Sequence, residues 1–163
     1  MVTGTTGRRS WVPSLKALVG SGDRIALFVL PFLVVGVILN VAAPSLFAVG
    51  GPSEALRIAS IAVLIPGLAI WIWSAALILT HVPRGELIVG GPYAVVKHPL
   101  YTAVALLVLP WVGFLLDTWL GVVIGLALYV AARRHAPDEE AELATVFGAE
   151  WDAYCDRVRL PSV

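Results

Sequence analysis

Two long apolar runs dominate the first half of the chain, at residues 25–43 (IALFVLPFLVVGVILNVAA) and 58–80 (IASIAVLIPGLAIWIWSAALILT). A helix needs about 20 apolar residues to cross the hydrocarbon layer of a bilayer, so each run is long enough to span it. Two shorter runs follow at 100–116 and 119–132, and the two residues between them, Asp117 and Thr118, predict a tight helical hairpin. The pattern predicts an all-α fold, an integral membrane helical bundle with about four transmembrane helices.

The composition supports this class. Of 163 residues, 59% are hydrophobic and 13% are charged, whereas a soluble domain is roughly half apolar and about a quarter charged. We therefore expect a single membrane domain over residues 1–163. A formal net charge of zero gives no basic signal for a nucleic-acid partner. The single cysteine excludes an internal disulfide, and the three histidines lack metal-ligand spacing, so no metal site is expected.

Lysine and arginine placement predicts the orientation of the bundle. Basic residues cluster before the first run, between the second and third runs, and after the fourth run, while the hairpin turn holds only Asp117. Because basic residues favour the cytoplasmic side, we expect both termini in the cytoplasm. Residues 1–24 would be a cytoplasmic tail, residues 25–132 the transmembrane helices, and residues 133–163 a cytoplasmic segment. The expected location is an inner or plasma membrane.

The segment GPYAVVKHPLY, residues 91–101, places polar side chains between two apolar runs. Pro99 suits the first position of a helix, which makes His98 the residue before that helix. Tyr101 follows three residues later, so both side chains can share one side of the first turn. Gly91 allows close approach of the backbone to a ligand. The alternative is that His98 and Tyr101 are anchors at the membrane interface.

The C-terminal stretch PDEEAELATVFGAEWDAYCDRVRLP predicts an amphipathic helix that begins at Pro137. At about 100° per residue, Glu140 falls on the apolar stripe and Glu142 on the opposite, solvent-facing side. A carboxylate on the buried side needs a partner, and Arg133 or Arg134 is near enough in sequence to supply one. In the alternative interpretation, Glu139 and Glu140 only cap the helix N-terminus. The apolar stripe itself consists of Leu143, Phe147, Trp151, Tyr154 and Val158.

Taken together, GPYAVVKHPLYTA and, after one apolar hairpin, EEAELATVFGAEWDAY and VRLP resemble the isoprenylcysteine carboxyl methyltransferase family and its phospholipid methyltransferase relatives. The family pattern is roughly G-P-Y-x-x-V-R-H-P-x-Y, followed by E-E-x-x-L-x-x-x-F-G-x-x-Y/W-x-x-Y. The resemblance covers residues 90–161. Lys97 stands where the family usually has arginine, which keeps the charge but loses the planar fork. Ala103 stands where the family often has glycine.

The resemblance implies a methyltransferase that uses S-adenosylmethionine at the cytoplasmic face of a membrane. It implies a lipophilic small-molecule or prenylated acceptor in contact with membrane lipid, with O-methylation of a carboxylate as the expected reaction. Arg134 and Glu140 would act on the acceptor as catalytic residues. The residues that would bind the cofactor are Gly91, Tyr93, Lys97, His98, Tyr101, Glu139 and Glu140.

Two other functions remain open from the sequence. FGAEWDAYCDRVRLP and HPLY also resemble segments of membrane sterol reductases, which use NADPH and are usually larger. The third hypothesis is a small membrane accessory protein without enzymatic activity.

Overall fold

The computed structural model describes residues 22–51 and 53–158, and in these residues the regular structure is helical, with no strand. The predicted all-α class is confirmed for this part of the chain. Residues 1–21 and 159–163, which belong to the two predicted tails, lie outside the described residues. The helices are α1 (Gly22–Ala42), α2 (Pro44–Phe47), α3 (Glu54–His81), α4 (Pro99–Leu115, π-helical over Ala103–Val108), α5 (Leu120–Phe147) and α6 (Ala149–Arg157).

Helices α1 and α3 follow the first two apolar runs to within a few residues. Both are long and apolar enough to cross a membrane, and only 11% of each apolar window is buried inside the protein. Helix α4 is apolar but shorter. These two exposed apolar helices are consistent with a helical membrane protein, and the arrangement with four spans stays a prediction.

The helices pack in the order α1, α5, α4, α3, with small residues at the crossings. Gly36 of α1 lies against Leu120 of α5. Gly113 of α4 lies against α5, where an added Cβ would be 2.9 Å from the Cα of Gly121. Helices in lipid gain little from burying apolar side chains against each other, so close backbone approach at small residues is a main source of their association.

The predicted hairpin at Asp117 and Thr118 is confirmed, and it is tied to the connection between α1 and α3. Asp117 has a φ of 56°, and its Oδ1 accepts hydrogen bonds from the backbone N–H groups of Val49 and Gly51 at 3.1 and 2.9 Å. Thr118 donates to Oδ1 of Asn40 at 2.8 Å. These contacts define one end of the bundle, which we call the hairpin end.

The predicted break before a separate C-terminal helix is wrong. Helix α5 runs from Leu120 to Phe147 straight through Pro137, and the chain turns only at Gly148, whose φ is 51°. Proline removes one helical hydrogen bond, to the carbonyl of Arg133. Arg133 is exposed, so solvent can satisfy that carbonyl. Three buried alanines, Ala131, Ala132 and Ala136, keep this stretch of α5 packed.

Residues 133–147 of α5 therefore extend beyond the predicted membrane-spanning run. Arg24 Nη1 lies 3.7 Å from Asp138 Oδ2, which brings the start of α1 to the same end as this extension. Glu139 and Glu140 lie in the middle of α5, so the alternative that they cap a helix N-terminus is wrong. We call this end of the bundle, opposite the hairpin end, the site end.

Candidate functional site

A cavity of about 520 Å³ lies at the site end. It forms where the end of α3, the α3–α4 loop, the first turn of α4, the extension of α5 and helix α6 meet. Its volume lies within the range of small-molecule sites. One wall is aliphatic, and the remainder combines aromatic, acidic and basic side chains. Its polar and aromatic lining consists of Glu86, Tyr93, Lys97, His98, Tyr101, Glu139, Glu142, Phe147, Trp151 and Tyr154.

His98 is positioned by the start of α4. It occupies the N-cap position with Pro99 as the first helical residue, as the sequence predicts, and Thr102 donates to its carbonyl at 2.8 Å. The imidazole makes no capping hydrogen bond and points across to α5. Its Nδ1 lies 3.4 Å from Glu139 Oε2, and its Nε2 lies 3.5 Å from Glu140 Oε1. The side chain is only 9% exposed, so this contact brings the two polar segments together away from solvent.

Lys97 joins the loop to both C-terminal helices. Its Nζ donates to Glu140 Oε2 at 2.9 Å and lies 5.7 Å from the centroid of the Trp151 ring, within the range of a cation–π contact. Arg133 or Arg134 is the predicted partner of Glu140, whereas the structure pairs Glu140 with Lys97. Both arginines are exposed. Lysine pairs with the carboxylate because the loop, remote in sequence, folds against this face of α5.

Helix α6 closes the cavity with an apolar cluster. Trp151, Tyr154 and Val158 are buried together, and Leu143 and Phe147 of α5 pack against them. The predicted apolar stripe is therefore assembled as one cluster, although two helices rather than one build it. Tyr154 also donates a hydrogen bond to the backbone carbonyl of Tyr93 at 2.8 Å, which ties α6 to the α3–α4 loop.

Burial sets the protonation of the paired groups. It raises the pKa of Glu139 to about 7, with further contributions from the charges of Glu142 and Glu140. Burial also lowers the pKa of His98, against the opposing influence of Glu140. Near pH 7 the imidazole is therefore neutral, and the Glu139 carboxyl holds a proton part of the time. The contact between them is therefore not a fixed ion pair near neutral pH.

Lys97 and the tyrosines have one dominant protonation state near neutral pH. Burial alone would lower the pKa of Lys97, but its hydrogen bond to Glu140 and the charge of that carboxylate outweigh burial and raise it. Burial raises the pKa of Tyr154 to about 12 and raises that of Tyr93 as well. The ammonium therefore stays charged, and both phenols stay neutral.

Most residues predicted for the site line the cavity: Tyr93, Lys97, His98, Tyr101 and Glu139. Three others do not, namely Gly91, Glu140 and Arg134. Gly91 has a φ of 61° and packs on α3, where an added Cβ would lie 3.1 Å from the ring of Trp73. Glu140 contacts Lys97 and His98, whereas Arg134 is exposed and is not part of the cavity lining.

Two acidic residues of the cavity lining, Glu142 and Glu86, are not among the predicted site residues. The helical wheel places Glu142 on the solvent-facing side; it is exposed there, and it also lines the cavity. The signal was present in the spacing, because Glu139 and Glu142 are three residues apart and such residues are neighbours on a helix surface. Glu86 has no comparable signal, since it lies on a loop whose course depends on tertiary packing.

The chain was compared with models of protein families, with characterised proteins and with solved structures, and no match was found.

Proposed function

We propose that this chain is an integral membrane methyltransferase that uses S-adenosylmethionine and acts on a lipophilic small-molecule or prenylated acceptor at the cytoplasmic face. The observation that supports it most is the convergence of two polar segments on one cavity. Lys97 and Glu140 are 43 residues apart in sequence, yet they form a 2.9 Å contact. His98 contacts the same face of α5. These two segments are the ones that resemble the methyltransferase family.

The proposed topology has four membrane crossings, by α1, α3, α4 and the first part of α5. Large hydrophobic side chains are exposed along α1 and α3, and a hydrocarbon environment would cover them. Basic residues favour the cytoplasmic side, which gives the proposed orientation with both termini in the cytoplasm. At the site end these basic residues are Arg24, Arg84, Lys97, Arg133, Arg134 and Arg157.

The cavity suits the two expected ligands, one polar and one lipophilic. Its aliphatic wall includes Ile78 and Leu79 near the end of α3, within reach of a ligand that arrives from lipid. Its acidic and aromatic walls suit a cationic nucleoside derivative, since carboxylates attract a sulfonium and aromatic faces stack on adenine and on cations. When bound, S-adenosylmethionine supplies a methyl group on a positively charged sulfur.

We assign the residues two kinds of role. His98 and Glu139 line the cavity and would contact an occupant directly. Lys97 and Glu140 form a positioning pair, because their bond holds the His98 segment against α5 and against Trp151 of α6. Methyl transfer needs the two reactants in line and the nucleophile free of water, and alignment by a rigid wall meets the first need.

The charges of the cavity favour a neutral acceptor nucleophile over the carboxylate that the resemblance implies. In the described part of the chain, Lys97 is the one lysine or arginine that lines the cavity, and it is already bound to Glu140. An anionic acceptor would meet acidic walls without a cation to bind it. Glu139, with a pKa of about 7, would accept the proton released from an amine or thiol.

The test uses the purified full-length chain in detergent. We expect S-adenosylhomocysteine to raise the melting temperature, because a ligand that binds only the folded state stabilises it by mass action. NADPH would do so for a reductase, although its phosphates are disfavoured by the acidic walls. Stabilisation by NADPH alone would overturn the proposal, and stabilisation by neither would favour the accessory-protein hypothesis.

Turnover is tested with methyl-labelled cofactor and fractions of a lipid extract. Glu140→Ala should abolish label transfer to the fraction that wild type labels, since Lys97 loses its partner on α5 and His98 loses one of its two contacts there. Glu150→Ala is the matched control, because Glu150 is exposed on α6 and outside the cavity. Full activity of Glu140→Ala would refute the role of the pair.

A further inference from the structure

Two carboxylates at positions that the family pattern does not specify line the cavity. Glu142 lies one turn beyond Glu139 on α5, and Glu86 lies on the α3–α4 loop. Both side chains are exposed, so they stand at the mouth of the cavity. The charge of Glu142 reaches the interior, since it is among the causes that raise the pKa of Glu139.

The interior of the cavity offers little positive charge to balance these two carboxylates. The ammonium of Lys97 is 2.9 Å from Glu140 Oε2 and is compensated there. His98 is nine-tenths buried, its pKa is lowered by burial, and its Nε2 makes no hydrogen bond within the described residues. A neutral imidazole adds no charge. An occupant with a net positive charge is therefore favoured over an otherwise identical neutral one.

We propose that Glu142, assisted by Glu86, makes the cavity select the charged methyl donor over its neutral product. This inference rests on the proposed function. During transfer the lone pair of the nucleophile forms a bond to the methyl carbon, the carbon–sulfur bond breaks, and its electron pair stays on sulfur. The sulfonium becomes a neutral thioether, and the attraction to Glu142 and Glu86 is lost. The two residues take no part in the chemistry; they weaken retention of the product relative to the donor.

The test measures dissociation constants of S-adenosylmethionine and S-adenosylhomocysteine by calorimetry on the full-length protein in detergent. The quantity of interest is the ratio of the product's constant to the donor's. We expect Glu142→Gln to lower this ratio about two- to fivefold, the range for exposed charge pairs. The double variant Glu86→Gln/Glu142→Gln should lower the ratio further. The difference from wild type should shrink at 0.5 M salt, where exposed charges are screened.

Glu150→Gln is the matched control, because it removes one exposed carboxylate that lies outside the cavity, and its ratio should equal that of wild type. An unchanged ratio in Glu86→Gln/Glu142→Gln, with both ligands still bound, overturns this inference and leaves the proposed function intact. An equal decrease in Glu150→Gln also overturns it, since the effect would then come from overall charge. Failure of wild type to bind either ligand overturns the proposed function and this inference with it.

Discussion

At the scale of single residues, Lys97 holds the site together. Its ammonium contacts Glu140 of α5 and the ring of Trp151 of α6, while its backbone belongs to the α3–α4 loop. An arginine would offer a planar fork to a carboxylate, whereas a lysine acts as a point charge with three donors. One point charge between a carboxylate and an aromatic face suits this geometry, since the two partners lie on different helices.

Glu139 shows how burial changes a side chain that the sequence presents as an ordinary acid. Its carboxyl lies against a neutral imidazole and near two further carboxylates, and its pKa is about 7. The corresponding carboxyl in the unfolded chain has a pKa near 4.5. Between these two values the folded protein holds a proton that the unfolded chain has lost. The contribution of Glu139 to the free energy of unfolding therefore falls as pH rises from about 5 to about 7.

We expect Glu139→Gln to remove this fall in stability with rising pH, because glutamine does not titrate. Between pH 5 and pH 8 the variant should lose less stability than wild type, by about 1–2 kcal/mol after allowance for the partial exposure of the side chain. His98 acts in the opposite direction, because its lowered pKa stabilises the folded state as pH rises, and it is present in both proteins. Thermal unfolding of both proteins at each pH measures the difference. If the difference in stability between variant and wild type is the same at pH 5 and pH 8, Glu139 does not have the raised pKa assigned to it.

At the scale of elements, α5 determines the shape of the site. It is a single helix of 28 residues that begins at the hairpin end and continues beyond the predicted membrane-spanning run. The continuation places Glu139 and Glu140 in contact with His98, and it places Glu142 in the lining of the same cavity. A helix restarted at Pro137 could have left in another direction. The continuity of α5 through this proline therefore fixes where its carboxylates lie.

Glycines on both helices allow the close crossing of α4 and α5. An added Cβ at Gly113 would lie 2.8 Å from the carbonyl oxygen of Thr118 and 2.9 Å from the Cα of Gly121, and both are backbone atoms that cannot rotate away. We expect Gly113→Ala to destabilise the protein by about 1–3 kcal/mol, as overpacking does. Thermal unfolding in detergent checks this.

The matched control is Gly22→Ala in α1, where an added Cβ meets no atom within 4 Å. This variant should keep or slightly raise the melting temperature, because alanine reduces the freedom of the unfolded chain. Equal melting temperatures for the two variants would show that the close approach of α4 and α5 is not needed.

At the scale of the whole molecule, the two ends of the bundle differ in chemistry. The hairpin end is closed by short hydrogen bonds around Asp117 and Thr118, and it contains little charge. The site end contains the cavity, the paired charges and most of the arginines. A bundle with one closed and one functional end suits a protein that takes a polar ligand from water at one membrane face.

We expect the two ends to lie on opposite sides of a membrane. In a Cys155→Ser background, Ala55→Cys would mark the hairpin end and Ala149→Cys the site end; both alanines are exposed in the first turn of a helix. In cells whose outer membrane or wall has been removed but whose inner membrane is intact, a maleimide that cannot cross the membrane should label only the Ala55→Cys variant. After lysis it should label both variants. Labelling of both variants in intact cells would contradict the four-span proposal.

Much of the fold follows from the sequence. Apolar runs of about 20 residues predict α1, α3 and α4 to within a few residues, because a helix needs about that length to cross a bilayer. Asp117 and Thr118 predict the hairpin, since so short a polar interruption leaves room only for a tight turn. His98 and Pro99 predict the start of α4 through local helix-capping chemistry. The hairpin and the start of α4 rest on interactions between neighbours in sequence.

The partners within the site depend on the tertiary structure. Glu140 binds Lys97 and not the nearby Arg133 or Arg134. Glu142 is exposed, as the helical wheel predicts, and the packing of the loop also makes it part of the cavity lining. The pKa of Glu139 likewise depends on burial beside a loop more than 40 residues away in sequence. The sequence alone determined which segments are helical and which residues are polar enough to form a site. The packing of the α3–α4 loop against α5 decided which charges meet, because charge pairing and desolvation depend on distances in space that spacing along the chain does not fix.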